Sequence, residues 1–117
     1  MIDLQGRTIY VYTIVVDMRK SITGLSLLLS EQFSQAPQNG DLYLFTNRTR
    51  DKIKCLCWDK NGFVLYYKRF ERGRFNFSKY IKEDKIIVSE QQLKALLIGL
   101  DFYLLNHCQG EHYKNLF

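Results

Sequence analysis

The sequence predicts an α+β fold: one domain with a mostly antiparallel sheet of about five strands and two main helices packed on it. Three observations carry that prediction. Two runs of strand character, Lys52–Trp58 and Phe63–Arg69, flank Asp59-Lys60-Asn61-Gly62, and Asn-Gly supplies the positive φ angles of a tight hairpin turn. Two other stretches repeat apolar residues every three or four positions, the period of a helix with one buried face. Short apolar runs at Arg7–Val16, Leu42–Phe45 and Lys85–Val88 read as further strands. A length of 117 residues fits a single domain, 1–117, and suffices to bury a core without metals or disulfides.

In chain order, Arg7–Val16 is apolar or aromatic on both alternating faces, as expected of a strand covered on both sides. Met18, Ile22, Leu25, Leu29 and Phe33 then form one helical stripe, with Asp17 placed to cap its first turn. Arg19 and Lys20 fall off that stripe near the expected helix start. They read either as solvated residues or, with the free N–H groups there, as part of an anion site. Gln35–Gly40 is a turn holding the sole proline, Leu42–Phe45 a short strand, and Asn47–Asp51 a polar connection to the hairpin.

In the hairpin's first run Ile53, Cys55 and Cys57 share one face, and Lys54, Leu56 and Trp58 the other. Neither face is fully polar, so one is expected against a helix and the other partly open, with Tyr and Trp exposed beside cations. Asn76–Asp84 is a looser segment and Lys85–Val88 a strand. Ser89 with Gln92 fits a capping box at the start of the last helix. Its stripe is Leu93, Leu96, Leu97, Leu100, Tyr103 and Leu104. Gly99 falls inside it, where close packing is the simplest reason for a glycine. The tail after Asn106 is expected to fray.

Charge is concentrated. Between positions 47 and 74 there are nine Lys and Arg against three acids, a surplus of six in a chain of net charge +5, so the remainder is close to neutral. Such a stretch points to an anionic partner. No apolar run approaches the roughly 20 residues of a membrane span, and the first residues lack the pattern of an export signal. With three cysteines, a reduced cytoplasmic setting is expected, and no membrane partner.

The residues give little support to catalysis. Cys55-x-Cys57 is not a zinc spacing, and His107, Cys108 and His112 lie near the end of the chain, so the thiols read as structural and no metal or other cofactor is expected. The acids are scattered rather than clustered, and no nucleophile–base signature or glycine-rich phosphate loop is present. Binding remains. Cations interleaved with Trp58, Tyr66, Tyr67, Phe70, Phe75 and Phe77 can pair phosphates and stack on bases, unless those aromatics are core.

Several stretches taken together resemble a known family. They are Asp17-Met18-Arg19-Lys20 with Gly24-Leu25; Gly40, Leu42–Phe45 and Asn47-Arg48; Asp51-Lys52-Ile53-Lys54; Trp58-Asp59; Gly62-Phe63; Tyr67 through Phe75; and Gly99-Leu100. In order and spacing the chain, from about Val11 to Asp101, is similar to the small TnpB-type accessory proteins encoded by the second reading frame of insertion sequences of the sixty-six family. In place of the small or proline-containing turn usual before the Asp-Met-Arg-Lys box, Ile14-Val15-Val16 lead into it, and Asn76-Phe77 stands where an aromatic commonly follows Arg-Phe.

The resemblance implies a non-enzymatic accessory role in transposition, beside a separately encoded transposase. The expected phosphate-contacting surface comprises Arg48, Arg50, Lys52, Lys54, Lys68, Arg69, Arg72 and Arg74, with Arg19 and Lys20 at its edge. Trp58 and Tyr67 are the expected aromatic contacts, and Gly73 a point of close approach or sharp turn. The expected partners are DNA, at the element's ends, and the transposase. The alternative is a module that docks on an acidic face of the transposase or of another accessory protein without recognising DNA directly.

Overall fold

The computed structural model describes residues 3–77 and 81–99. The short apolar runs become β1 (Ile9–Val15), β2 (Leu42–Thr46), β3 (Lys52–Asp59), β4 (Gly62–Arg69) and β5 (Lys85–Val88). The helical stripes become α1 (Ile22–Gln32) and α2 (Glu90–Leu97). The strands form one sheet in the order β4-β3-β2-β1-β5. All neighbours are antiparallel except β1 and β2, which run parallel because α1 carries the chain back between them. This is the α+β architecture the patterning predicts.

Strand alternation divides the core between the two faces of the sheet. Ile9, Val11, Leu42, Leu44, Ile53, Cys55 and Cys57 point to one side and pack with Leu93 and Leu96 of α2 and with Phe70, Phe75 and Phe77. Tyr12, Tyr43, Phe45 and Leu56 point to the other and pack with Leu25 and Leu29 of α1, with Met18, Ile22 and Phe33 at the margin. Phe45 stacks on Tyr12 at 5.1 Å between ring centroids, and Phe33 meets Tyr12 edge-on at 4.6 Å. Both faces of β3 are therefore covered, and the partly open face expected of the hairpin is confined to β4, where Tyr66 and Tyr67 are exposed.

Three local expectations change. The first helix begins at Ile22 rather than Met18. Asp17 accepts from the Arg19 N–H at 2.9 Å through Oδ1, and its carbonyl accepts from the Lys20 N–H at 3.1 Å. Those bonds fold 17–20 into a turn that competes with helix, and Asp17 caps that turn instead. Ser21 stands at the helix N-cap without a side-chain bond.

The hairpin turn is shifted by one residue. Gly62 pairs with Asp59 inside the ladder, and the positive φ falls on Lys60, with the Asn61 N–H donating to the Asp59 carbonyl at 2.6 Å. Gly99 lies beyond the end of α2 rather than inside it, with φ +89° after the C-cap Ile98. Close packing is present there all the same: a Cβ built on Gly99 would sit 3.4 Å from the Gly73 Cα. The Ser89–Gln92 capping box forms as read, with both reciprocal bonds made. Leu100, Tyr103, Leu104 and the tail with His107, Cys108 and His112 fall outside the described residues.

Candidate nucleic-acid interface

Topology gathers the cations. β1 and β2 end, β3 begins and β4 ends at one end of the sheet. The connections 17–20, 47–51 and 70–77 all leave from that end, and they carry most of the Lys and Arg singled out above. Arg19, Lys20, Arg48, Arg50, Lys52, Lys54, Lys68, Arg69, Arg72, Arg74 and Tyr67 thus share it. Trp58 does not. It lies six residues along β3, roughly 20 Å away at about 3.3 Å per residue, half-buried against Phe63 at 4.9 Å.

Within that end the cations do different work. Lys54 Nζ donates to the Met18 carbonyl at 2.7 Å and the Lys20 carbonyl at 2.8 Å, tying the 17–20 turn to the sheet. Arg50, in the left-handed region at φ 56°, donates to the Phe77 carbonyl at 3.0 Å and lies 3.9 Å over the Phe77 ring. Its carbonyl accepts from the Phe75 N–H, and the Asp51 carbonyl accepts from the Phe70 N–H. Those bonds fold 70–77 back under the sheet and bury Phe70, Phe75 and Phe77, which removes all three from the aromatics expected to stack on bases. Lys68 points to the α2 side, donates to the Leu97 carbonyl and sits 4.7 Å from the Phe70 ring centroid.

Others remain at the surface. Arg19 is paired with Asp17 at 2.7 Å, and Arg69 with Glu71 at 2.7 Å, both in solvent. The hydrogen bonds from Arg19 pull the Asp17 carboxyl down to about 2. Lys52 stands 3.8 Å from the Asp51 carboxylate. Among the described residues, Arg74 bonds only the adjacent Gly73 carbonyl. Lys20, Arg48 and Arg72 have no side-chain hydrogen bond or ion pair among the described residues.

On the α1 side of this end, an open groove runs between the 17–20 turn and the 47–49 loop, with Arg19, Arg48, Lys52 and Tyr67 along it. Asn47 and Thr49 also line it, although their sequence context reads only as a polar connection. Their spacing with Asp51 is the missed signal. Asn47 Nδ2 and Thr49 Oγ1 both donate to Asp51 Oδ1, and Asn47 Oδ1 accepts from the Lys52 N–H at 3.1 Å, so the loop is internally bonded. Among the described residues, no three His, Cys, Asp or Glu side chains converge as a metal-holding group, and no helix is long and apolar enough to cross a membrane.

Comparison with known proteins finds relatives over most of the chain. A family model described as IS66 Orf2 like protein matches residues 7–106. Two proteins of Sinorhizobium fredii (strain NBRC 101917 / NGR234), named uncharacterized proteins y4jC and y4hO, are each 32% identical over 98 residues. The match takes in 84% of this chain, and 83% and 84% of the two relatives. No solved structure matches the chain. The family match takes in both faces of the sheet and all ten cations of the basic end, and the chain belongs to the IS66 Orf2-like family, the accessory proteins of transposition by insertion sequences.

Proposed function

We propose that this protein takes part in transposition of its insertion sequence without itself catalysing a reaction, and that it grips DNA phosphates with the basic end of its sheet. It works in the cytoplasm beside the transposase. One observation carries the reading: three connections from different strands deliver their cations to the same end. Phosphate contacts from such a surface position a protein on DNA irrespective of sequence.

The test is a salt titration of binding to duplexes bearing the element's terminal repeats and to scrambled duplexes of equal length, with wild type and an Arg48→Ala/Arg72→Ala double variant. Both arginines are exposed, so the variant should keep its fold. Weaker binding to every sequence is expected, with a salt slope shallower by about two, since each phosphate contact contributes about 0.9. Unchanged affinity and slope would overturn the assignment of these arginines. No affinity for DNA, together with retention of the transposase after nuclease treatment, would move the role to docking on an acidic partner face.

A further inference from the structure

The open groove between the 17–20 turn and the 47–49 loop sets surface cations beside an aromatic ring with most of its surface open: Tyr67 is 54% exposed. Tyr67 pairs across the ladder with Lys54, whose Nζ lies 5.7 Å from the ring centroid. Lys54 is itself fixed by its two bonds to the 17–20 turn, so the ring stands beside an anchored neighbour rather than on a mobile loop. Arg19, Arg48 and Lys52 line the groove with Tyr67; Arg19 engages the Asp17 carboxylate and Lys52 stands 3.8 Å from that of Asp51, while Arg48 is exposed.

We propose that this groove takes a segment of single-stranded DNA, with an unpaired base stacked on Tyr67 and the flanking phosphates at Arg48 and Lys52. The inference rests on the phosphate-binding reading above and narrows its ligand. A duplex presents base edges, because its base faces are already stacked on one another. Only an unpaired base offers a face to a tyrosine ring. Stacking is tolerant of sequence, so the preference is for strandedness rather than for a particular base. The phenol hydroxyl is not required, which separates stacking from hydrogen bonding by Tyr67.

The experiment is fluorescence anisotropy with a labelled single-stranded oligodeoxynucleotide, the same sequence as blunt duplex, and the matching RNA. The proteins are wild type, Tyr67→Ala and Tyr67→Phe, each checked for a wild-type melting profile. Wild type should bind the single strand more tightly than the duplex. Tyr67→Ala should weaken single-strand binding by roughly five- to 150-fold and leave duplex binding unchanged, and Tyr67→Phe should stay near wild type. An unchanged single-strand affinity in Tyr67→Ala overturns the proposal while duplex binding leaves the phosphate reading standing. An equal loss in both variants overturns stacking, and tighter binding to the RNA overturns DNA as the ligand. Wild type that binds no nucleic acid removes both readings together.

Discussion

Lys54→Met should destabilise the protein by about 2 kcal/mol, although the position is one of ten cations on a basic surface. Methionine keeps the unbranched stem and removes the ammonium. Two hydrogen bonds are lost, to the carbonyls of Met18 and Lys20 at 2.7 and 2.8 Å. Bonds from a charged donor contribute about 1.5–3 kcal/mol each, and water reaches the freed carbonyls, so the total falls near the value of one such bond. Urea unfolding measures the loss. Hydrogen exchange at the Lys20 amide, bonded to the Asp17 carbonyl at 3.1 Å, reports whether the 17–20 turn has loosened. An affinity readout separates this role from direct phosphate contact. If Lys54 acts by holding the turn, Arg19→Ala should cost less in the Lys54→Met background than in wild type. A stability loss below about 0.5 kcal/mol with unchanged Lys20 exchange would refute the latch, because two short bonds from a fixed ammonium cannot be absent without effect.

Gly99→Ala should cost roughly 1–2 kcal/mol, since its φ of +89° suits glycine; a Cβ would meet the Gly73 Cα at 3.4 Å, an ordinary contact, so the cost lies in the backbone. Gly62→Ala, which meets nothing within 4 Å, should cost less than that on the same thermal denaturation assay. Tyr12→Phe should be neutral or stabilising by up to about 1 kcal/mol, because the buried Tyr12 hydroxyl has no hydrogen-bond partner among the described residues. A loss above about 1 kcal/mol in urea would contradict this. The Asp51 carboxyl is held down to about 2, first by the Thr49 and then by the Asn47 hydrogen bond. A carboxyl depressed in the fold stabilises above its unfolded value of about 3.9 and loses that contribution as pH falls from about 4 towards 2. Asp51→Asn should therefore flatten the response of the Lys52 amide resonance over that window.

How much was legible follows from which patterns had a single reading. The Ser89–Gln92 box had one, and it forms. Alternation along β3 put Cys55 and Leu56 on opposite faces, as found, but it gave only one of those faces a cover, whereas both are buried. Met18 reads as the start of the helix, and the structure puts it in a turn. It fits the apolar stripe, and it also fits a turn closed by Asp17, and the side-chain bond to the Arg19 N–H decides for the turn. Asn61-Gly62 announced a hairpin correctly but not its register, because the ladder extends through the glycine. The fate of Phe70, Phe75 and Phe77 was not local at all. It depends on backbone bonds from 70–77 to Arg50 and Asp51, some twenty residues back. The gathering of Arg19 and Arg48 beside Tyr67 depends likewise on β1 and β2 being parallel, which no spacing in either strand announces.

The same geometry bounds the electrostatics. Ten cations counted from sequence would give a salt slope near −9 on duplex DNA if each met a phosphate, at about 0.9 per contact. Three of them already serve the fold: Lys54 holds the 17–20 turn, Arg50 holds Phe77, and Lys68 holds the end of α2. A phosphate that recruited them would have to break those bonds. The remaining seven set a limit of about −6 on duplex, and of about −5 on a single strand, where each contact contributes about 0.7. Arg19 and Arg69 must also trade exposed acid partners for phosphate, an exchange that costs little because surface pairs are weak. A measured duplex slope steeper than about −7 would mean that the bonds of Lys54, Arg50 or Lys68 open on binding, and hydrogen exchange at Lys20 would rise with DNA. A slope within the bound leaves them closed, with the fold presenting a preformed surface in which part of the basic charge is scaffold and only the rest is grip.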